Sequence, residues 1–236
     1  MKENKWKDLI SCIGLVKYGM SVKQCFCTMT LFMVIGIAFE MMTLLWTNGK
    51  LMNRVLDFGA LFMFSAVVYP VQMLITLDIT GMVQASPYKK RIQTSAMSLI
   101  SLWGNLVVLV ILLLIRGLGA WLVPERAAVI WNTLPTVGIL GLGLSVMIAL
   151  AYKFYIVSVI VMILVFGASG GFNGIYRIGE METPGMTDGL SPAAAIGFCV
   201  IMIFLGNALQ YVINRVIYKR PFSKWAFGSA LGKKFV

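Results

Sequence analysis

Residues 96–115 of the chain read AMSLISLWGNLVVLVILLLI, and none of these side chains is charged. The hydrocarbon core of a bilayer is about 30 Å thick, and a helix of about 20 apolar residues crosses it. The stretch Ala96–Ile115 therefore predicts a transmembrane helix. Five further segments of similar length and character predict five more spans: Cys25–Trp46, Phe58–Leu77, Ala128–Ala151, Phe154–Gly171 and Pro192–Ile213.

The composition agrees with a membrane location. Of 236 residues, 59% are hydrophobic and 12% are charged, which is about half the usual charged share of a globular domain. A chain this apolar cannot hide its side chains in one water-soluble core. We therefore predict a single all-α membrane domain over residues 1–236, with six transmembrane helices.

The basic residues predict the orientation of these helices. The net charge is +11, and Lys and Arg flank the apolar runs rather than forming a polar domain that would bind nucleic acid. One set of connections, with both termini, holds 15 of the 20 basic residues, and the alternate set holds 5, among them Arg116. Since cytoplasmic loops carry the excess of Lys and Arg, we expect both termini in the cytoplasm, in the cell membrane.

Three segments outside the spans carry further information, and the first is residues 5–23. Apolar residues recur there at helical spacing, while most of the lysines fall off the apolar stripe. A basic amphipathic helix before a span is expected to lie along the membrane surface; the alternative is a loosely ordered cytoplasmic arm. The residues expected to enter the membrane surface are Trp6, Leu9, Ile10 and Ile13.

The second segment is the connection between spans 2 and 3, residues 78–95. Ser86 before Pro87 is typical of a helix start, with Ser at the cap and Pro in the first helical position. Lys89, Lys90 and Arg91 follow at once. The sequence predicts a short, basic helical element on the cytoplasmic face; the alternative is a topology anchor without a partner.

The third segment is the outer stretch 167–191, which is rich in glycine but also contains Phe172, Ile175 and Tyr176. It is too apolar for a plain loop and too interrupted for a span. Irregular backbone at membrane depth survives only against protein or water. We therefore expect a re-entrant or surface-lying helical hairpin.

Polar residues inside the predicted spans are few. A charge in a membrane interior is a functional candidate, and Glu40 lies toward the outer end of span 1; the alternative is that it reaches the interface or is protonated. Tyr69 and Pro70 lie near the middle of span 2, where proline favours a kink that serves gating or only packing. The side chains expected to form interhelical hydrogen bonds are Gln72, Asn105, Asn207 and Gln210.

The residues needed for several kinds of chemistry are missing. The chain contains no histidine and no Walker A sequence, G-x-x-x-x-G-K-[ST], so it lacks a phosphate-binding loop for ATP. Its four cysteines do not form a zinc or disulfide pattern. We expect no catalytic site, metal or cofactor in this chain.

In combination, these features resemble the membrane subunit of a type-two ABC exporter, the permease group that includes antimicrobial-peptide and lantibiotic-immunity exporters. The resemblance covers the whole chain. It rests on six spans, the surface helix 5–23, the interrupted segment 167–191, and above all the stretch Ser86-Pro87-Tyr88-Lys89-Lys90-Arg91.

The resemblance implies a mechanism in which this chain is half of a transporter. A second permease copy would complete it, most simply as a homodimer, and a separate ATP-binding cassette subunit would bind ATP and Mg. The coupling residues would be Ser86, Pro87, Tyr88, Lys89, Lys90 and Arg91, with a smaller contact at Lys153. The expected cargo is an amphipathic peptide or a lipophilic molecule moved outward.

Two other functions stay open on the sequence alone. The chain could be the substrate-capture membrane subunit of an uptake system, which binds ligand in an outward pocket and needs no basic coupling element. It could also be a non-catalytic membrane assembly protein, in which the basic connection only fixes topology.

Overall fold

The computed structural model describes residues 22–45, 49–79, 88–174, 191–221 and 223. These residues form helices joined by short turns, and no strand occurs among them, so the all-α fold class is confirmed for this part of the chain. A π-helical segment, Ile92–Ala96, joins α4 to α5, and a 3-10 turn, Pro124–Arg126, precedes α6. The α-helices are α1 Val22–Leu45, α2 Gly49–Ala66, α3 Val68–Ile79, α4 Lys89–Arg91, α5 Met97–Leu122, α6 Ala127–Asn132, α7 Leu134–Ala151, α8 Tyr155–Gly174 and α9 Pro192–Ile217.

By length and composition, the chain is a membrane-embedded helical protein. The predicted span Phe154–Gly171 coincides with α8, a helix of 20 residues, but its described apolar stretch, Tyr155–Val165, is shorter than a full crossing. The count of six spans therefore stays a prediction. Within the described residues, five segments are long and apolar enough to cross a membrane: Lys23–Thr43, Phe58–Ile75, Lys89–Leu122, Ile130–Ala151 and Pro192–Ile217.

The third of these segments is longer than the predicted span Ala96–Ile115. It runs for 34 residues from Lys89 to Leu122, about 51 Å at 1.5 Å per residue. Arg116, which the charge count assigned to an outer connection, lies inside α5 and is fully buried. That assignment was wrong because apolar residues resume directly after Arg116, and without it the basic residues divide 15 to 4.

Helix α7 forms much of the core. It packs against α2, α8 and α9, it is joined to α5 by a hydrogen bond, and most of its residues are buried. Its contact with α9 is close because α9 has glycine at position 206, where a Cβ would lie 2.7 Å from Cα of Leu142. The main buried cluster includes Phe64 of α2, Val108, Leu109 and Leu112 of α5, Leu134, Val137 and Leu140 of α7, and Cys199 and Ile203 of α9.

Helices α7 and α9 run parallel to each other. Gly138 lies beside Cys199 near their first residues, and Lys153, just after α7, bonds to Tyr218, just after α9. The chain that joins α7 to α9 must therefore return from one end of the bundle to the other.

The predicted span 2 consists of two helices, α2 and α3, separated at Val67. The N–H of Val67 donates to the carbonyl oxygen of Phe64 at 3.0 Å, the shorter bond of a tight turn. Pro70 explains the interruption, because its ring clashes with the carbonyl four residues earlier, at Ala66, and it has no N–H to donate. The helix is thus interrupted about one turn before the proline for which the sequence predicts a kink.

Two of the predicted segments between spans lie largely outside the described residues. Of residues 5–23, only 22 and 23 are described, as the first residues of α1, so the surface helix with Trp6, Leu9, Ile10 and Ile13 stays a prediction. Of residues 78–95, positions 80–87 lie outside the description, including Ser86 and Pro87.

The outer segment 167–191 is described only at its two ends. Residues 167–174 continue α8 as helix, and Ser191 begins the approach to α9. The side-chain oxygen of Ser191 accepts a hydrogen bond from the N–H of Ala194 at 3.3 Å and so caps α9. The re-entrant hairpin falls on the remaining residues and stays a prediction.

Candidate functional site

A buried ion pair joins α1 to α5. Oε1 of Glu40 and Nη2 of Arg116 are 3.3 Å apart, and neither side chain is exposed. Nη1 of Arg116 also donates to Oγ1 of Thr133 at 3.2 Å, in the turn before α7. Glu40, the predicted intramembrane charge, therefore meets a partner inside the bundle rather than reaching an aqueous interface.

The ion pair forms where α1 and α2 approach closely. A Cβ at Gly59 of α2 would lie 2.6 Å from Cγ of Glu40 and 2.9 Å from its backbone nitrogen. A single charge near a membrane centre costs about 2.5–3.5 kcal/mol. Pairing Glu40 with Arg116 offsets that cost and holds α1 against the bundle.

A second polar contact joins α5 to α7. Nδ2 of Asn105 donates to Oγ of Ser145 at 3.1 Å, and the Ser145 hydroxyl donates to the carbonyl oxygen of Gly141 at 2.9 Å. The interhelical hydrogen bond predicted for Asn105 is confirmed. Together with the bond from Arg116 to Thr133, it shows that α5 runs antiparallel to α7.

The other predicted intramembrane residues lie apart from the ion pair. The Tyr69 ring packs against Phe32, with 5.3 Å between ring centroids, and Phe32 precedes Glu40 by eight residues, about 12 Å along α1. Pro70 follows Tyr69, and Gln72 is half-buried two residues further along α3. The structure does not bring these three residues together with Glu40.

Six buried polar residues on the inward faces of α5 and α9 form what we call the polar seam. Asn207 donates from Nδ2 to the carbonyl oxygen of Ile203 at 2.9 Å, within its own helix rather than to a neighbour. Gln210, also predicted to bond between helices, is completely buried. The polar seam consists of Ser98, Ser101 and Asn105 on α5 and Asn207, Gln210 and Asn214 on α9.

Most of the seam has unsatisfied hydrogen-bonding groups among the described residues. Both amide atoms of Gln210 lack a partner there, as do Nδ2 of Asn214, Oδ1 of Asn207, and the hydroxyls of Ser98 and Ser101. Burying a polar atom without a partner costs about 1–3 kcal/mol. Several such atoms in one place are therefore unfavourable for stability alone.

Lys153 lies at one end of the bundle. Its Nζ donates to Oε1 of Gln93 at 3.0 Å and to the carbonyl oxygens of Ile217 at 3.1 Å and Tyr218 at 2.6 Å. These carbonyls end α9, so the ammonium group caps the negative end of that helix. The neighbouring Tyr152 hydroxyl has a raised pKa because packing removes water from it.

The described residues among those predicted for coupling, Tyr88 to Arg91 and Lys153, lie at this same end, which we call the basic end. Tyr88 and Lys90 are exposed, and Lys90 places its Nζ 5.5 Å from the centre of the Tyr218 ring. The structure thus brings Lys153 and the described part of the coupling stretch together around Tyr218. The basic end consists of Lys89, Lys90, Arg91, Lys153, Arg215, Lys219 and Arg220.

Sequence reasoning did not find Arg116 and Thr133, nor Ser98, Ser101 and Asn214. The signal for Arg116 was the apolar run Gly-Leu-Gly-Ala-Trp-Leu-Val that follows it, which continues the helix past the charge. The signal for the seam was the recurrence of small polar residues three and four positions apart, which places them on one helix face.

No group of His, Cys, Asp and Glu side chains that could hold a metal ion occurs within the described ranges. Comparison of the chain with models of protein families, with curated proteins and with solved structures finds no match. Function is therefore inferred from the sequence and the geometry of the chain itself.

Proposed function

We propose that the chain is the membrane-spanning permease subunit of an ATP-driven exporter. Two copies would form the transporter, and each would bind a separate ATP-binding subunit that supplies the ATP and Mg sites. The cargo would be an amphipathic peptide or a lipophilic molecule. The sequence resemblance motivates this proposal, and the geometry of the basic end is the observation that supports it best.

That geometry is suited to transmitting a movement from the basic end to the membrane helix α5. The helical turn Lys89–Arg91, which we call the tip, is continuous with α5 through Ile92–Ala96. The tip and α5 therefore form one helical rod. A partner that moved Tyr88 and Lys90 would therefore move α5. The joint is π-helical, a form that occurs often at functional positions.

The charge of the tip also suits a docking role. Lys89, Lys90 and Arg91 give the start of α4 three positive charges. An acidic groove on an ATPase would be steered toward such a tip, which affects the rate and register of docking more than the affinity. With the basic end in the cytoplasm, as the charge count predicts, the tip faces the compartment that holds ATP.

The path of the chain supports a sixth crossing by α8. Helices α7 and α9 are parallel, so the chain between Lys153 and Ser191 has to return to the opposite end. Helix α8 has 20 residues, about 30 Å of helix, and is the described element in that interval. Six crossings per chain fit a permease half.

The test is charge reversal of the tip. A tagged chain is purified from its native cell with any ATPase that accompanies it, and ATP hydrolysis is measured in lipid nanodiscs. The triple variant Lys89→Glu, Lys90→Glu, Arg91→Glu is expected to reduce the stimulated rate of ATP hydrolysis about tenfold, since it repels the acidic surface that the native tip attracts.

A matched triple variant at the same end controls for the loss of charge. Arg215, Lys219 and Arg220 are exposed at the end of α9, and changing all three to Glu is expected to preserve stimulation. If an ATPase accompanies the chain but the tip variant stimulates it normally, coupling through this tip is wrong. If a folded chain brings no ATPase with it, the assembly-protein function is favoured instead.

A further inference from the structure

The polar seam lies on the inward faces of two membrane helices. Its members on each helix are separated by three and four residues, which places them on one side. Their neighbours Trp103 and Tyr211 are exposed instead, toward the outside of the bundle. Since α5 and α9 contact each other, the two polar faces share one interior.

The seam begins at a small cavity beside the basic end. The cavity has a volume of about 20 Å³ and is lined by Asn214 together with Met97, Lys153 and Tyr218, among others. This is enough room for about one water molecule. Asn214 is 5% exposed, and its Nδ2 lacks a partner among the described residues, so a buried polar group without a partner borders this cavity.

Gln210 continues the seam one turn deeper. Asn214 and Met97 line the same cavity, and α5 and α9 run in opposite directions, because both pack on α7 in opposite senses. Moving four residues along each helix, about 6 Å, places Gln210 level with Ser101. Both side chains are 0% exposed, and neither has all its hydrogen bonds within the described chain.

The seam ends at an apolar layer. Beyond Asn105, the inward positions of α5 are Val108, Leu109 and Leu112, all buried in the main cluster. Arg116 comes eleven residues after Asn105, about 16 Å along the helix. The interior of the bundle is therefore polar near the basic end, apolar in the middle, and charged again at the ion pair.

We propose that the polar seam is an intramembrane binding site for the uncharged amide and hydroxyl groups of the cargo, entered from the basic end. The seam contains no charged side chain, and its amides and hydroxyls each donate and accept hydrogen bonds, as a peptide backbone does. The assignment rests on the proposed transport function and narrows the cargo to molecules rich in peptide bonds. The apolar layer closes the site toward the ion pair.

The test uses two alkylating reagents of equal size. Ser101→Cys is made in a chain whose native cysteines are replaced by Ala, and its alkylation is followed in lipid nanodiscs with neutral iodoacetamide and anionic iodoacetate. Two control variants are made in the same background. Leu112→Cys reports the apolar layer, and Lys90→Cys reports the reactivity of a thiol exposed to water.

Iodoacetamide is expected to modify Ser101→Cys about tenfold faster than Leu112→Cys, because only a hydrated thiol ionises readily. The preference for iodoacetamide over iodoacetate should also exceed that of Lys90→Cys, because the seam accepts uncharged groups. Adding Gln210→Leu is expected to reduce the reaction of Ser101→Cys to the level of Leu112→Cys by removing two polar atoms from the site.

Equal reaction rates at positions 101 and 112 would overturn the assignment and make the seam a helix-packing feature. A thiol at position 101 that reacts equally well with both reagents would overturn the selectivity for uncharged groups. Neither result depends on ATP hydrolysis, so the seam can fail while the charge-reversal test of the tip succeeds, and the reverse.

Discussion

The charge of Arg116 is fully buried, and the carboxylate that pairs with it, that of Glu40, belongs to a different helix. Removing one partner of a buried ion pair typically destabilises a protein by about 3–5 kcal/mol, since the other charge is left alone. We predict a loss of this size for Arg116→Leu, measured as the free energy of unfolding in detergent. Glu40→Leu should cost a similar amount.

The double variant Glu40→Leu, Arg116→Leu tests whether each single loss comes from the unpaired charge that is left behind. Replacing both charges with apolar residues often leaves stability unchanged, so the double variant should recover most of the loss. The exposed Arg215 provides a control, since Arg215→Leu removes a positive charge without leaving a buried one. A double variant whose loss equals the sum of the two single losses would show that the two charges act independently.

These residues also show how far sequence reasoning reaches. A lone acid in an apolar run identified Glu40, because such a charge is costly in a membrane. Arg116 was missed because hydropathy ended the span at Ile115, and a basic residue at a span end ordinarily marks an interface. Only the packing of α1 on α5 reveals that the two charges meet.

At the scale of elements, α1 and α2 depend on glycine for their close contact. A Cβ at Gly59 would come within 3 Å of the Glu40 backbone nitrogen and the Gly36 carbonyl oxygen, neither of which can turn away. We predict that Gly59→Ala destabilises the protein by about 1–3 kcal/mol through overpacking. Thermal unfolding in detergent measures the change.

Gly117 is the matched control for this substitution. It lies inside α5, next to Arg116, and a Cβ there would meet no atom within 4 Å. Gly117→Ala should therefore stabilise the protein by about 0.5–1 kcal/mol, because alanine loses less entropy than glycine in a helix. The two Gly→Ala changes are thus expected to shift the stability of the protein in opposite directions. Equal effects on stability would contradict the packing of α1 on α2.

The existence of the helices could be predicted from apolar run lengths, but their ends could not. Hydropathy placed Lys89–Arg91 in a separate element, because charge interrupts an apolar window. The structure continues that turn into α5, since the basic side chains lie at the exposed start of the rod. The contact of Lys153 with a partner stays a prediction, and within the chain its ammonium group caps α9, which the sequence did not predict.

At the scale of the whole molecule, the arrangement of the helices decides which polar residues lie together. Level seam residues on α5 and α9 are 102 to 116 positions apart in the sequence, from Asn105 with Asn207 to Ser98 with Asn214. No local pattern joins such distant positions. The sequence could predict that each helix has a polar face, but only the contact of α5 with α9 shows that these faces meet.

The crossing pattern is tested by the sidedness of three exposed positions. Lys90 and Arg220 lie at the basic end, and Glu125 lies in the turn at the other end of α5. In a cysteine-free chain, an impermeant thiol reagent applied to intact cells should modify Glu125→Cys but neither Lys90→Cys nor Arg220→Cys, because cytoplasmic positions carry the basic excess. Permeabilised cells, in which all three should react, provide the control.

Labelling of Lys90→Cys and Glu125→Cys from the same side would show that α5 does not cross the membrane. Labelling of Lys90→Cys and Arg220→Cys from opposite sides would remove the sixth crossing, and with it the parallel course of α7 and α9 on which the shared polar interior depends.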